Sequence, residues 1–347
     1  MRTADFDFSL PKELIAARPS GKRDHSRLLV LRMDGSIEHR RFHEITEYLN
    51  PGDLLLLNDT KVFPARITGT KPSGGKVDIL LVGETDEKGT WEILHKGGFQ
   101  GTVTVFNGME AEIRLEGGDP ARAFLKFSGL SSEALDELLW HYGAMPLPPY
   151  IRRAPDEEDK LRYQTVYAER QGSIAAPTAG LHFTGELLAG IKEKGVKVRA
   201  LTLHVGSGTF KPIRAEFLAD HRMDSEYFEL EPSLLADIRS VKKAGGRLIT
   251  VGTTATRAIE GYMSGRCRSS DEPSPSSTIK GSTDIFICPG YEFKAVDCLV
   301  TNFHLPCSTP LMLVSAFSGF TKITKAYEEA IAMNYRFFSY GDAMLIL

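Results

Sequence analysis

The chain has 347 residues, 42% hydrophobic and 25% charged, with a formal net charge of -3. That is globular composition, long enough for two domains, and its slight acidity argues against a protein that coats nucleic acid through overall basicity, while leaving room for a local basic patch. Cys267, Cys288, Cys298 and Cys307 form no C-x-x-C pair, and neither a signal-peptide run nor a stretch of about 18 apolar residues occurs, so the sequence reads as a soluble, cytoplasmic protein with reduced thiols.

In chain order, DLLLLNDT (53–60) comes first. Four leucines between Pro51-Gly52 and Asn58-Asp59 predict a strand buried on both faces. From 62 to 129 the texture changes to short runs: VFPARI, KVDILLV, TWEILH, TVTVF, AEIRL and ARAFLKF. Glycine turns separate them at roughly ten-residue spacing, which predicts a small antiparallel β-barrel. SSEALDELLWHYG (131–143) reads as a capped amphipathic helix. MPLPPY (145–150) holds too many prolines for a helix or strand and reads as a connector.

After Tyr150 the pattern alternates. Helices are predicted at 157–169, 184–194, 233–244, 253–263, 311–317 and 323–334. Strands are predicted at 196–205 and 247–252, in DIFICPG and AVDCLVTNF, and in the terminal AMLIL. Alternation with apolar strands implies an α/β core, a layered sheet with helices. The resulting parse is an α/β core domain of 1–61 and 151–347 interrupted by an inserted small antiparallel β-barrel domain of 62–150. RCRSSDEPSPSSTIKGS (266–282) reads as a low-complexity surface loop.

Five segments leave an apolar run and at once carry Gly, Thr, Ser or His: APTAGLHFT, LHVGSGTF, TVGTTATR, TNFHLPCST and YRFFSYGDAM. In open α/β sheets, ligands bind beyond the carboxyl ends of the strands, and helix N-termini take anions. A histidine between apolar residues, such as His182 or His204, is commonly a hydrogen-bonded structural group. Gly206-Ser207-Gly208-Thr209 lacks phosphate-loop spacing, since Lys211 follows Phe210, which speaks against a P-loop triphosphatase. His304 and Cys307 are spaced like two metal ligands, but no second close pair accompanies them. Lys61, Arg66, Lys71 and Lys76 open the barrel, and Arg152, Arg153, Lys160 and Arg162 follow the connector. Meeting along one cleft, these groups would form a track for a phosphodiester backbone.

The strings RDHSRLLVL, PGDLLLLNDTKVFPAR, GAMPLPPYI, RYQTVYA, IAAPTAGLHFT, LTLHVGSGTFKPI, TDIFICPGY, TNFHLPCSTPLMLVSAF and YRFFSYGDAM, in this order, resemble the signature stretches of the S-adenosylmethionine:tRNA ribosyltransferase-isomerase family of queuosine biosynthesis. One departure is Asp224, in HRMDSEYF, where the family usually has a histidine. The resemblance implies a β-barrel beside an α/β core. It also implies S-adenosylmethionine as a ribosyl donor and a tRNA anticodon loop carrying 7-aminomethyl-7-deazaguanine at the wobble position as the acceptor. The products are epoxyqueuosine-tRNA, adenine and methionine.

For such a reaction the sulfonium acidifies the 5′ C–H of the ribose, a base removes that proton, and adenine leaves. Histidine suits the base. The resemblance therefore makes His182 and His204 the first acid/base candidates and His304 the third, with Asp342 or Asp284 to orient a histidine or accept a proton from the amine. Thr178, Gly180, Gly206, Gly208, Thr253, Thr254 and His304 are expected around S-adenosylmethionine, with Tyr291, Phe303 and Tyr340 beside the cation. Lys61, Arg66, Arg152 and Arg153 are expected near the tRNA, whose modified base is splayed out of the loop. The scheme needs no metal and a monomer suffices. An S-adenosylmethionine-dependent tRNA methyltransferase is the alternative, but its Gly-rich loop after the first strand is not evident. A noncatalytic RNA-binding module would need a stronger basic balance.

Overall fold

The computed structural model describes residues 1–206, 213–269 and 277–347. The chain opens with β1 (Arg27–Leu31), β2 (Ile37–Arg41), β3 (Leu54–Asn58) and β4 (Thr60–Val62). The barrel strands follow: β5 (Arg66–Thr70), β6 (Lys76–Glu84), β7 (Thr90–His95), β8 (Gly101–Val105), β9 (Met109–Leu115) and β10 (Ala123–Phe127). Next come helices α1 (Ser132–Tyr142) and α2 (Glu157–Arg162), β11 (Arg170–Ser173), α3 (Gly185–Glu193), β12 (Lys197–Leu203) and β13 (Glu226–Leu230). The chain continues through α4 (Pro232–Lys243), β14 (Leu248–Val251), α5 (Gly252–Met263), β15 (Arg268–Ser269), β16 (Ile279–Thr283) and β17 (Cys298–Asn302). It ends with α6 (Thr309–Ser318), α7 (Phe320–Ala332) and β18 (Ala343–Ile346).

The four leucines of β3 are buried on both faces, as their run demands. They sit inside a sheet of order β15-β16-β13-β12-β3-β14-β17-β18-β1-β2. Leu55 and Leu57 face α3, packing with Leu187, Leu188 and Ile191. Leu54 and Leu56 face α4 and α5, against Leu234, Ile238 and Ile259. Period-two alternation thus feeds both layers from one strand. β12 and β14 run parallel to β3, and β17 parallel to β14. Their carboxyl ends therefore share one edge. β18 runs antiparallel to β17, with Ala343 opposite Asn302, so the segment entering β18 reaches that same edge.

The short runs of 66–127 close into a barrel of order β10-β7-β6-β5-β8-β9. Val77, Ile79 and Leu81 alternate inward along β6 and meet Ile93, Val103 and Ile113. Ser131 caps α1 by accepting from the Ala134 backbone N–H at 3.2 Å, and Leu135 and Leu139 join the barrel core. The α/β core with an antiparallel barrel expected from the sequence is the observed architecture.

Several elements differ from their sequence reading. The helix expected over 157–169 stops at Arg162, because Tyr163 is wholly buried and turns the chain inward. DIFICPG forms no assigned strand; the ladder is formed instead by β16, whose first four residues, IKGS, end the stretch read as a loop. β13 was hidden because EYFEL carries two charges; Glu226 is nevertheless buried on the face of Phe228 and Leu230, where it pairs with Arg257, and Glu229 is half-buried on the other face.

Candidate functional site

At the shared carboxyl edge lies a cavity of about 330 Å³, within the range of small-molecule sites. Four of the five sequence-flagged segments supply most of its wall, through Ala176–Ala179, Gly252–Thr254, Thr301–Ser308 and Phe338–Ser339, and Val205 from the fifth completes it. The connector adds Pro149 and Tyr150. The lining is largely apolar and contains no carboxylate side chain among the described residues. Among the described residues, two of the four non-glycine positions with left-handed backbone, Cys307 (φ 54) and Phe338 (φ 73), stand on this wall. Such conformations are unfavourable and gather at sites where geometry is imposed.

Of the candidates, Thr178, Thr253, Thr254, Phe303 and His304 line the cavity. His304 follows β17 directly. Its Nε2 lies 2.8 Å from Thr301 Oγ1, and its backbone N–H donates to Tyr327 Oη at 3.0 Å. In the tautomer in which Thr301 accepts from Nε2–H, the lone pair is on Nδ1. Burial among apolar atoms pushes the imidazole pKa down to about 3, so the ring is neutral at physiological pH.

His182 stands behind this wall, not on it. It ends the 3-10 turn Thr178–His182, stacks on Phe42 at 4.9 Å, and has both ring nitrogens engaged. Nδ1 is 2.7 Å from Ser26 Oγ and Nε2 is 3.1 Å from Asn302 Nδ2. The Asn302 amide is fixed by two backbone carbonyls, those of Phe338 (3.2 Å) and Asp342 (3.5 Å), which only Nδ2 can serve. Nε2 of His182 must then accept, and Nδ1–H donates to Ser26. Burial pushes this ring down to about 4, partly offset by Asp342. The same fork leaves Asn302 Oδ1, on the cavity wall, buried without a donor.

The remaining candidates are held elsewhere. His204 bonds Thr60 Oγ1 at 2.8 Å through Nδ1 and stacks on Tyr227. It packs over Gly172, where a Cβ would come within 2.8 Å of the ring, so glycine is required there. Burial lowers its pKa. Asp342 touches neither histidine side chain. Its carboxylate accepts from the Arg27 backbone N–H (2.9 Å), Arg27 Nε (3.2 Å) and the Arg336 backbone N–H (2.8 Å), a structural clamp. Gly180 makes room for Tyr167, whose Oη would lie 2.0 Å from an added Cβ. Tyr291 donates to Glu260 at 2.8 Å, and Tyr340 to Asp159 at 2.9 Å. Asp284 is exposed. Gly206 is half-buried, while Gly208 lies outside the described residues.

Among the basic candidates, Arg152 is exposed. Lys61 Nζ sits 5.3 Å from the Trp140 ring centroid, and Arg66 pairs with Asp78 at 3.7 Å. Arg153 is engaged differently: its guanidinium makes a two-pronged bond of 2.6 Å per prong to buried Asp159 and reaches the Ala17 and Ala154 carbonyls. The sequence reading passed over Asn302 and Tyr150, although both lie inside strings it had singled out, TNFHLPCST and MPLPPY. Nothing in a sequence tells which face of such a loop meets a cavity.

The chain matches the family model described as queuosine biosynthesis protein over residues 3–346. It is 53% identical over 351 residues to the S-adenosylmethionine:tRNA ribosyltransferase-isomerase of Thermodesulfovibrio yellowstonii, covering 100% of both chains. To the enzyme of the same name from Halothermothrix orenii it is 49% identical over 359 residues, again covering 100% of each. The crystal structure of S-adenosylmethionine tRNA ribosyltransferase from Thermotoga maritima is similar with a TM-score of 0.55 and 36% identity, covering 99% of this chain and 100% of that one.

Proposed function

The chain belongs to the queuosine biosynthesis protein family, and we infer that the cavity beyond β3, β14 and β17 is where it transfers and isomerises the ribosyl moiety of S-adenosylmethionine. The acceptor is the 7-aminomethyl-7-deazaguanine at the wobble position of tRNA; the modified base leaves as epoxyqueuosine, with adenine and methionine released. The observation that carries this placement is a neutral histidine, His304, on the wall of an apolar cavity at the carboxyl edge of the parallel strands.

His304 Nδ1 is the general base for the 5′ C–H of the ribose. A base this weak would be a poor choice for creating charge. Here the proton moves from a cationic sulfonium compound to a neutral ring, so the total charge in the cavity is unchanged. Thr301 holds the ring by its far nitrogen. Phe338 and Tyr150, both half-buried on the wall, offer aromatic surface to the sulfonium, while the Phe303 ring is packed in the core behind them. Asn302 Oδ1 is available to accept an N–H of a bound substrate, and His182, through the amide it fixes, is a positioning residue. Thr178 and the first turn of α5, with Thr253 and Thr254, complete the wall around the co-substrate.

The tRNA approaches from the barrel side, where exposed Arg152, Lys61 over Trp140, and Arg66 supply positive charge. This assigns the anticodon loop to the junction of a core of 1–61 and 151–347 with an inserted domain of 62–150. The Arg66–Ala144 bridge, which ties the end of α1 back to the start of the barrel, supports that division. Four free thiols suit the cytoplasm. A product assay separates this reading from methyl transfer. Incubation with S-adenosylmethionine and precursor tRNA is expected to release adenine and methionine in equal amounts; S-adenosylhomocysteine in their place would overturn it.

A further inference from the structure

A second, smaller pocket of about 20 Å³ shares Thr253, Thr254 and Pro310 with the cavity wall. Two helix N-termini border it. The start of α6 contributes Thr309 and Pro310, and the start of α5 contributes Thr253 and Thr254 with no side-chain cap on its first N–H groups. Arg257, one turn along α5, completes the pocket and is only 7% exposed. Its Nε donates to the Ile285 carbonyl at 3.2 Å, and its Nη1 pairs with Glu226. Nη2, however, is buried with no hydrogen-bond partner. An orphaned guanidinium N–H in the interior is rare and costly, and beside a ligand cavity it calls for an acceptor from the ligand.

The acceptor that fits is an oxyanion. Guanidinium N–H groups form charge-assisted bonds to carboxylate or phosphate, and uncapped helix starts favour the same charge. Glu226 is already engaged by Nη1, so it does not compete for Nη2. Asn58 Nδ2 donates to Thr254 Oγ1 at 3.1 Å, which leaves the Thr254 hydroxyl hydrogen free to point at an anion. At about 20 Å³ the space is small, which favours a compact oxyanion over a phosphodiester with its sugars.

We propose that this pocket binds the α-carboxylate of the methionine tail of S-adenosylmethionine, with Arg257 Nη2, Thr254 and the first turn of α5 as donors. The assignment rests on reading the adjoining cavity as the co-substrate site. It explains how the amino-acid tail is anchored at one end so that the sulfonium and ribose lie in the cavity near His304.

Calorimetric binding without tRNA tests it, comparing S-adenosylmethionine with its decarboxylated analogue, which keeps the adenosine, the sulfonium and the amine. The wild-type protein is expected to prefer the carboxylated ligand by about 10- to 100-fold. Arg257→Lys keeps a cation beside Glu226 but loses the second prong, and the preference should fall toward parity with the analogue's own affinity unchanged. Thr254→Val, which leaves the ion pair intact, should lose part of the preference and covers the case in which Arg257→Lys fails to fold. Equal binding of both ligands by the wild type overturns the proposal. So does an Arg257→Lys variant that keeps the preference and instead weakens tRNA binding on filters, which would assign Nη2 to a phosphate. A wild type that shows the preference yet releases no adenine in the presence of tRNA overturns the proposed reaction and leaves this carboxylate pocket standing.

Discussion

His304→Ala is expected to lower the rate of adenine release by about 10²- to 10⁴-fold, the usual range for loss of a positioned general base. S-adenosylmethionine should still bind, because the apolar wall and its aromatic surface remain. The pH dependence sharpens the expectation. The base must be unprotonated to act, and burial holds its pKa at about 3. Activity limited by His304 therefore stays level as pH falls through 6.5, where an ordinary histidine would protonate, and is lost only as pH approaches that lower value. Single-turnover adenine release at saturating tRNA, followed from pH 8 down to pH 5, reads both effects. A variant within about tenfold of wild type, or a wild-type acid limb centred near 6.5, removes His304 from the role.

Glu260→Ala is expected to be the most destabilising single substitution around the site, by about 3–5 kcal/mol. Glu260 lies on α5 with no exposure, yet among the described residues no cation forms an ion pair with it. Its carboxylate instead accepts from the Lys294, Ala295 and Val296 backbone N–H groups at 2.8, 2.8 and 3.0 Å, and from Tyr291 Oη at 2.8 Å. Four donors converge because the turn before β17 has no ladder of its own, so a side chain supplies the acceptors. Alanine would strand these donors and open a void between α5 and that turn. Both elements lead to the cavity: α5 begins at it, and β17 ends at it. Burial and the same carboxylate push the Tyr291 phenol up to about 12, which keeps it a donor throughout the physiological range. Urea unfolding gives the measure. A midpoint shift worth less than about 1 kcal/mol would show that the turn finds other acceptors, and Glu260→Gln, which retains one oxygen acceptor, should fall between.

The architecture was largely legible because its signals are periodic. Four leucines in β3 marked a doubly covered strand, and alternating runs broken by glycine marked the barrel. The edge of the sheet was legible too, since Gly, Thr and His directly after apolar strands are poor core residues. Orientation within those loops was not. His182 and His304 look alike in sequence, each in an apolar run. One is turned back to Ser26 and Asn302 while the other faces the cavity, and only the path of the 3-10 turn and the end of β17 separates them. Arg153 likewise reads as a free cation until Asp159, six residues on, folds back as its partner at the start of α2. Arg257 ends one of the flagged segments, TVGTTATR, but carries no expected role there, because a lone arginine within a helix pattern gives no sign that one of its N–H groups will be buried unpaired.

The most direct measurement is a crystal structure of the protein with S-adenosylmethionine bound. The ribose 5′ carbon is expected about 3–3.5 Å from His304 Nδ1, the separation of a near-attack geometry, with the sulfonium against Phe338 and the purine inside the cavity. A ribose seated beside His204 or His182, with His304 facing away from the ligand, would contradict the account.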